Sequence, residues 1–350
     1  MASIDQPKDD LRKPASADTV PLGPMADEDS VVGGVALQRE TASSAGLHIA
    51  IIAGMAVFLL AAPFFLYPVF LMKVLCFALF ACAFNMLLGF GGLLSFGHAA
   101  YFGMASYLSA HAAKVWGMPP EIAIIIGAFT GALLGLAAGS LAIRRQGIYF
   151  AMITLALAQM VYFFCLQAGF TGGEDGIQAV PRGNLFGVVS LEDDLSLYFL
   201  VAAIFFGGFL LIYRIIHSPF GQVLKAIRDN EPRAISLGYK TNQYKLMVFV
   251  LSAGLSGLAG ATKAIVFQLA TLTDVHWSMS GEVILMTLVG GMGTIFGPII
   301  GAAVIVSMQN YLADFGAWVT VIQGVIFVIC VLLFREGIVG VIGKALRRQL

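Results

Sequence analysis

The sequence has very little charge for its length. Of its 350 residues only 11% are Asp, Glu, Lys or Arg, whereas 59% are hydrophobic. No water-soluble domain is built from this composition, because apolar runs of about 18 or more residues are typical of membrane-spanning helices. The net charge is zero, so the information lies in where the charges are placed along the chain.

Several enzyme motifs are absent as well. The sequence contains no GxxxxGK(S/T) phosphate-binding loop, no HExxH zinc motif, no GxSxG nucleophile elbow and no carboxylate pair at a useful spacing. We therefore expect no catalytic residues, no cofactor and no nucleotide hydrolysis on a phosphate-binding loop of this chain. A polytopic membrane enzyme remains an alternative, and it would require a cluster of ionisable residues.

The cysteines are few, and none is placed beside another. Four of them lie singly inside apolar runs without CxxC spacing: Cys76, Cys82, Cys165 and Cys330. This placement is typical of small buried residues, so we expect neither a disulfide nor a metal site.

Residues 1–46 differ in composition from the rest of the chain. They contain eight acidic and four basic residues, are rich in Pro, Ser and Gly, and show no helical period. We predict a disordered tail here, followed by a transmembrane domain over 47–340 and a basic tail over 341–350. A secretory signal is not expected, because no short basic start leads directly into an apolar core.

Long apolar runs dominate the rest and predict an all-α fold, a polytopic transmembrane helix bundle. Each run approaches the ~20 residues that a helix needs to cross a bilayer. The predicted spans are Leu47–Tyr67, Val69–Phe90, Leu93–Ala113, Ile122–Ile143, Ile148–Ala168, Leu195–Ile216, Leu246–Ala270 and Val319–Phe334.

The run Glu282–Ala313 does not fit this series. As one helix its 32 residues would measure about 48 Å, which is too long for one upright span and too short for two. The glycines of Gly290–Gly293 and the pair Gly297–Pro298 interrupt it near its middle. Broken backbone at membrane depth persists only where protein buries it or water reaches it, so we predict two short or re-entrant helices.

The segment Ser218–Lys245 is a long polar interruption between apolar runs. It predicts two short helices in series, because Ser218-Pro219 is a helix start, Asp229–Pro232 is a break and Gly238 is a stop. The apolar stripe of the first helix is formed by Phe220, Val223, Leu224 and Ile227. The face turned away from this stripe carries Gln222, Lys225 and Arg228. Such an amphipathic hairpin either lies flat on the membrane or sits in a groove of another protein.

Basic residues near the ends of spans predict the orientation of the chain. The segment Ser218–Lys245 and its flanks carry six basic and two acidic residues, whereas the 169–194 loop carries five acidic residues against Arg182 alone. We therefore predict that the first loop and both termini are cytoplasmic and that the second loop lies outside. Lys73, near an outer end, is the one charge that fits this orientation poorly.

Glycines recur at every fourth residue in two places. The first ladder, on the fourth span, consists of Gly127, Gly131, Gly135 and Gly139, and the second, in the broken run, of Gly293, Gly297 and Gly301. Helices approach each other closely where glycine offers no side chain. The first ladder predicts helix packing, and the second predicts either packing or the lining of a pathway.

Polar residues inside the apolar runs are costly unless they are paired or wet. Asn85, Ser95 and His98 lie near one another in sequence, and His98 is either a hydrogen-bonded structural residue or a ligand contact. Glu282 and Lys263 lie near the ends of predicted spans, where such side chains snorkel or pair. Alternatively, Glu282 takes a direct part in a path.

Seven blocks in matching order resemble one transporter family, the inner-membrane permease subunits of ABC importers for branched-chain amino acids, and within it the M-type partner. The blocks are GLLSFGHAAYFGMASY, GIYFAMITLALAQ, TGGEDG, SPFGQVLKAIRDNEPRAISLGY with YKL, SAGLSGLAG, HWSMSGEV and GGMGTIFGPIIGA. The resemblance covers about Leu75–Gly340. It departs from the general Glu-Ala-Ala-x3-Gly pattern of ABC permeases, because the aligned residues here are Pro232, Arg233, Ala234 and Gly238.

The resemblance implies a permease in the bacterial inner membrane that forms, with a second, paralogous permease, the path for neutral, hydrophobic amino acids. The other implied partners are two ABC ATPase subunits, a periplasmic substrate-binding protein and the lipid bilayer, and no nucleic acid. The hairpin would dock in a cleft of the ATPase, with its apolar stripe in a groove and Lys225 and Arg228 against acids at the rim.

The resemblance also implies roles for particular residues. The coupling residues would be Phe220, Leu224, Lys225, Arg228, Glu231, Arg233, Ala234 and Gly238. The candidate translocation path consists of Asn85, Ser95, His98, Glu282, Gly291, Gly293 and Gly297. Two alternatives stay open: a related ABC permease for urea, short amides or small aromatic acids, and an ion-coupled secondary transporter, for which Glu282 is the lone candidate carboxylate.

Overall fold

Helices form almost all of the regular structure in the described part of the chain. A computed structural model describes residues 50–187, 189–312, 321–322, 324–325, 328 and 337–340. The predictions for residues 1–46 and 341–350 and for Cys330 lie outside these residues, as does most of the predicted span Val319–Phe334.

The elements follow one another along the chain with mostly short connections. The helices are α1 Ala50–Phe64, α2 Pro68–Asn85, α3 His98–Lys114, α4 Pro120–Ala142, α5 Ile148–Gln167, α6 Asp194–His217, α7 Pro219–Asp229, α8 Glu231–Ser236, α9 Thr241–Phe267, α10 Leu272–Val275, α11 Trp277–Gly290 and α12 Gly297–Tyr311. Two antiparallel strand pairs accompany them: β1 Ile177–Gln178 with β4 Leu269–Ala270, and β2 Asn184–Leu185 with β3 Val189–Ser190. The fold is therefore all-α, as predicted.

Five helices of the described residues are long and apolar enough to cross a membrane. They are Pro68–Phe90, which is α2 with a following π-helical turn, and α4, α5, α6 and α9. These helices confirm five of the predicted spans. The helix α1 is shorter than the predicted first span, because it ends at Phe64 instead of Tyr67.

The predicted third span begins too early. The helix α3 starts at His98 rather than at Leu93, and residues 91–97 form an irregular connection after the π turn Met86–Phe90. Gly92 has a φ of +68°, a left-handed conformation that ends helical geometry and that glycine adopts without a steric penalty. The apolar run therefore continues through a break that hydrophobicity alone does not reveal.

The helices α2 and α9 form the centre of the bundle, and α4 packs against α9 through the first glycine ladder. The most apolar stretches of α2 and α9 are 83% and 72% buried, against 33% for α4 and 28% for α5. A β-carbon at Gly131 would lie 2.7 Å from the Ala253 carbonyl oxygen and 2.9 Å from Gly257 Cα. The first ladder therefore serves helix packing, as predicted.

The broken run forms a hairpin of two short helices. The helices α11 and α12 contain 14 and 15 residues, or about 21 and 22 Å of helix, and neither alone matches the ~30 Å of a bilayer core. The six residues 291–296 separate them, with Gly291 at φ +118° and Gly293 at φ +79°. This arrangement confirms the prediction of two short helices, and we call the unit the α11–α12 hairpin.

The glycine-rich connection after α5 caps the C-terminal end of that helix. Thr171 Oγ1 donates to the carbonyl oxygens of Cys165 at 2.5 Å and Ala168 at 2.6 Å. Farther along the same connection, Arg182 forms an ion pair with Asp194 at 3.0 Å and donates to the Val266 carbonyl at 3.2 Å. These bonds hold the acidic 169–194 loop against α5, α6 and α9.

Candidate functional site

The polar segment between α6 and α9 folds into the two helices that its capping residues predict. Ser218 Oγ accepts a hydrogen bond from Gly221 N at 3.4 Å at the start of α7. Asn230 Oδ1 accepts one from Arg233 N at 3.0 Å at the start of α8. Gly238, at φ +87°, follows α8 and allows the chain to turn away. We call α7 and α8 the amphipathic hairpin.

The apolar stripe of the amphipathic hairpin faces its own protein. Leu224 and Ile227 are 1% and 2% exposed. Phe220 stacks on Tyr244 of α9, with 5.6 Å between ring centroids and 17° between planes. The expectation that this stripe fills a groove of another subunit is therefore wrong, because the stripe already packs in this chain.

Lys225 and Arg228, the two cations expected to meet acids of the ATPase, both make contacts within this chain, although the Arg228 side chain remains 38% exposed. Lys225 Nζ lies 5.5 Å from the centroid of the Phe90 ring. Partial burial lowers the pKa of Lys225, the positive charge of Arg228 lowers it further, and Asp229 opposes the shift. Arg228 Nη1 donates to the Gly89 carbonyl oxygen at 2.6 Å, and its other nitrogens bond to Asp229 Oδ1. Both cations therefore contact the π turn that ends the α2 span.

Glu231 attaches the second helix of the hairpin to the bundle. Its Oε1 accepts from Lys245 Nζ of α9 at 2.6 Å, and its Oε2 accepts from Gln146 Nε2 at 2.9 Å. The two charged side chains of the ion pair are only 18% and 6% exposed. Ala234 is buried beside them, so α8 has one face fixed against α9.

The large apolar side chains that the hairpin exposes lie at and just after the end of α8. Ile235 is 56% exposed, Leu237 68% and Tyr239 41%, and Arg233 is exposed next to them. Of these residues, sequence reasoning identified only Arg233. The sequence does contain a signal for this exposed patch. Ile235 and Leu237 are apolar residues within a polar segment, and they do not continue the apolar stripe of α7.

Asn85 joins the end of α2 to the turn of the α11–α12 hairpin. Its Oδ1 accepts from Gly293 N at 3.0 Å and its Nδ2 donates to the Thr294 carbonyl at 2.8 Å. The backbones of Gly89 and Gly293 are so close that a β-carbon on Gly89 would lie 2.5 Å from Gly293 N. The predicted path residues Asn85 and Gly293 are thus in direct contact, and Arg228 binds the same Gly89.

Thr294 organises this turn. Its hydroxyl donates to the Gly291 carbonyl at 2.7 Å and accepts from Gly297 N at 3.1 Å. Any β-carbon at Gly297 would overlap Thr294 Oγ1, and one at Gly301 would overlap the Met286 carbonyl. Gly297 and Gly301 of the second glycine ladder therefore pack α11 and α12 against each other at backbone distance, whereas Gly293 lies in the turn against Gly89.

Ser95 and His98 lie in a closed polar cluster. Both are 0% exposed. His98 Nδ1 is 3.1 Å from Ser95 Oγ, and its Nε2 is 2.9 Å from Ser252 Oγ, which in turn donates to the Ala83 carbonyl. With both ring nitrogens bonded, His98 joins the start of α3 to α9 and α2 as a structural residue.

Glu282 and Lys263 lie at the end of the bundle where α2 begins and α9 ends. Glu282 Oε2 accepts from Gln309 Nε2 at 3.1 Å, a bond between the two helices of the α11–α12 hairpin. Lys263 Nζ contacts both carboxylate oxygens of Asp274 at 2.6 Å, so of the two alternatives predicted for this lysine, snorkelling or pairing, it is paired. Within the described residues, no three His, Cys, Asp or Glu side chains converge as a metal site.

The spanning helices and the paired short helices define the chain as a polytopic α-helical membrane protein. Residues 69–332 match the family described as branched-chain amino acid transport system / permease component. This match covers well over half of the chain, and the protein belongs to that family.

The names of similar proteins include more than one substrate. The LivM branched-chain amino acid permease of Escherichia coli K12 is 26% identical over 240 residues, 62% of this chain and 56% of that protein. The ribose permease RbsC of Bacillus subtilis is 29% identical over a region that covers 63% of this chain and 70% of RbsC. The fructose permease FruG of Bifidobacterium longum is 25% identical over a region that covers 63% of this chain and 68% of FruG. The chain thus spans less than two thirds of LivM. No solved structure matches it.

Proposed function

We propose that this chain is a transmembrane permease subunit of an ABC importer and that branched-chain amino acids are its cargo. Membership of the permease family supports the role, and the names of the LivM proteins support the cargo. In this proposal a second permease completes the path, two ATPase subunits supply the energy and a substrate-binding protein delivers the amino acid.

The observation that carries the proposal is the set of contacts joining the amphipathic hairpin to the turn of the α11–α12 hairpin. Arg228 holds Gly89, Gly89 touches Gly293, and Asn85 binds the same turn. A displacement of α7 is therefore carried to a broken membrane helix without an intervening flexible segment. Rigid elements with two arrangements are what alternating access requires.

The ATPase contact is assigned to the exposed end of the hairpin: Arg233, Ile235, Leu237 and Tyr239. These residues offer an apolar patch beside one cation, whereas the stripe of α7 is already covered. Apolar anchors beside a polar rim are characteristic of protein interfaces. The basic charges of the Ser218–Lys245 segment support a cytoplasmic position for this surface.

Uptake in proteoliposomes tests the function. The chain is reconstituted with a second permease, ATPase subunits and a binding protein from the same organism, and radiolabelled leucine uptake is measured with and without ATP. We expect uptake that requires ATP and every partner. Uptake by this chain alone, or uptake driven by a proton or sodium gradient without ATP, contradicts the proposal and favours a secondary transporter.

The sugar permeases among the similar proteins suggest a second cargo class. The same vesicles are therefore challenged with unlabelled ribose, fructose, urea and leucine. We expect only leucine and its branched-chain analogues to compete. Competition by a sugar but not by leucine retains the importer role and overturns the amino-acid cargo.

Orientation is tested independently by labelling. Cysteine is introduced at exposed Ser236 in the hairpin and at exposed Asp175 in the acidic loop, and a membrane-impermeant maleimide is added to intact cells. We expect reaction at position 175 only, and reaction at position 236 only after the membrane is opened. Labelling of position 236 in intact cells contradicts the cytoplasmic assignment.

A further inference from the structure

Two adjacent arginines, Arg144 and Arg145, follow the end of α4. Both are exposed, and in the described part of the chain neither side chain forms an ion pair or a hydrogen bond. The next residue, Gln146, does bind within the chain, because it donates to Glu231. In the proposed orientation these arginines lie at the cytoplasmic surface of the membrane. Two neighbouring guanidinium groups there are free to bind an anion from outside the chain.

A groove in the membrane-facing surface begins directly beside the arginines. It has a volume of about 110 Å³ and lies between the last turns of α4 and parts of α3 and α5. Its walls are Ala100, Tyr101, Leu134, Ala137, Ala138, Leu141, Leu157, Ala158, Met160 and Val161. None of these side chains is charged. Leu141 precedes Arg144 by three residues, which is less than one helical turn.

The groove is open on the lipid side of the bundle. The most apolar stretches of α4 and α5 are only 33% and 28% buried. The wall residues Leu141 and Met160 are 56% and 64% exposed. A space of about 110 Å³ holds a few methylene groups in single file, whereas a helix of another subunit is ~10–12 Å across with its side chains. The dimensions therefore fit one hydrocarbon chain.

We infer that the groove and the two arginines form a site for an anionic phospholipid of the cytoplasmic leaflet, with one acyl chain in the groove and the phosphate on Arg144 and Arg145. Guanidinium groups bind phosphate oxygens in pairs, and basic pockets between helices on the cytoplasmic side bind anionic headgroups. An acidic residue of a soluble partner would satisfy the arginines but leave the groove empty. The site depends on the proposed orientation of the chain and not on its cargo.

The lipid site adjoins the amphipathic hairpin. Gln146, next to Arg145, donates to Glu231 Oε2 at 2.9 Å, and Glu231 Oε1 accepts from Lys245 at 2.6 Å. A phospholipid on the arginines therefore holds the same connection that attaches α8 to the bundle. The lipid and the hairpin are linked through consecutive residues of one short turn.

Native mass spectrometry tests the site on the full-length chain, purified with the subunits that accompany it and stripped of lipid in detergent. The probes are dioleoyl-phosphatidylglycerol and dioleoyl-phosphatidylcholine, which have the same acyl chains and of which only the first has a net negative charge. Glycerol phosphate is the third probe and carries the anion without the chains. We expect phosphatidylglycerol to bind about tenfold more tightly than phosphatidylcholine, and glycerol phosphate not to compete at the same concentration.

One pair of variants assigns the headgroup contact. Arg144→Gln together with Arg145→Gln should weaken phosphatidylglycerol binding about tenfold and leave phosphatidylcholine binding unchanged. The matched control is Arg214→Gln together with Lys240→Gln, which removes two exposed positive charges from the same predicted side of the membrane, away from the groove. Melting temperatures near that of wild type confirm that the variants fold.

A second pair assigns the acyl-chain contact. Ala137 is an exposed wall residue, so Ala137→Phe fills the groove without entering the core and should weaken binding of both lipids several-fold. Ala156→Phe is the matched control, because Ala156 is an exposed alanine on α5 outside the groove. A photoreactive benzoylphenylalanine in place of Ala137 is expected to cross-link to phospholipid in native membranes.

Several results would overturn the lipid site. These are equal affinity of wild type for the two lipids, unchanged phosphatidylglycerol binding in the arginine double variant, and tight binding of glycerol phosphate by itself. A cross-link from position 137 to a second permease subunit instead of lipid would show that protein covers the groove. None of these measurements involves transport. Failure of leucine uptake in the proteoliposomes would therefore overturn the cargo and leave the lipid site standing.

Discussion

Arg228 Nη1 donates a 2.6 Å hydrogen bond to the carbonyl oxygen of Gly89, a residue 139 positions earlier in the chain. The side chain reaches this oxygen across Gly92, where a β-carbon would lie 2.8 Å from Arg228 Cγ. One cation thus connects α7 to the end of the α2 span. In the proposed importer, this bond carries the motion of the amphipathic hairpin into the membrane.

Replacing Arg228 should uncouple transport from ATP hydrolysis. In Arg228→Gln the charged bond to Gly89 is lost, and we expect leucine uptake per ATP hydrolysed to fall about tenfold, since hydrogen bonds to charged groups contribute ~1.5–3 kcal/mol. The ATPases should still co-purify, because the proposed ATPase contact lies at the end of α8 and does not include Arg228. Lys240→Gln, which removes an exposed positive charge from the same segment outside the assigned ATPase contact, serves as the control. An unchanged ratio of uptake to hydrolysis in Arg228→Gln would remove this bond from the mechanism.

The exposed apolar residues at the end of α8 should determine ATPase binding. Ile235→Asp together with Leu237→Asp places two charges on the exposed patch, and we expect recovery of the ATPases to drop at least tenfold by affinity purification. The double variant should still insert into the membrane, since neither side chain is buried. Gln222→Asp, exposed on α7, is the control. Full ATPase recovery with the double variant would move the contact elsewhere.

A side chain at Gly297 should disturb the turn of the α11–α12 hairpin. Gly297→Leu cannot be accommodated beside Thr294 Oγ1, and overpacking of this kind costs ~1–3 kcal/mol. We expect a lower melting temperature of the purified complex and loss of uptake without dissociation of the subunits. Gly281→Leu is the matched control, because a β-carbon there meets nothing within 4 Å. Wild-type uptake by Gly297→Leu would show that this turn has no part in transport.

Lys225 should make the stability of the amphipathic hairpin depend on pH at alkaline values. Burial lowers the pKa of Lys225 in the folded state below its ordinary value of 10.5. The unfolded chain therefore binds more protons between the two pKa values, and stability rises as pH increases through that interval. Thermal unfolding of wild type and Lys225→Met between pH 8 and 11 measures this. We expect the rise to be smaller in Lys225→Met, and equal slopes would contradict the assignment.

Features that depend on near neighbours in the chain followed from the sequence alone. Apolar runs predict the five long helices, and glycines predict the break over residues 291–296. Capping residues predict the two helices after Ser218. Each of these signals lies within a few positions of the feature that it predicts. The family resemblance likewise follows from contiguous blocks, and the family match confirms it.

Which side of each helix meets the rest of the protein was decided only by the tertiary structure. Periodicity placed Lys225 and Arg228 opposite the stripe of α7, but it could not show that the π turn after Asn85 occupies that side as well. The pairing of Glu231 with Lys245 and the enclosure of His98 by Ser252 were equally hidden. These contacts depend on how helices far apart in sequence are brought together, and in an almost uniformly apolar chain hydrophobicity does not distinguish a buried helix face from one that meets lipid.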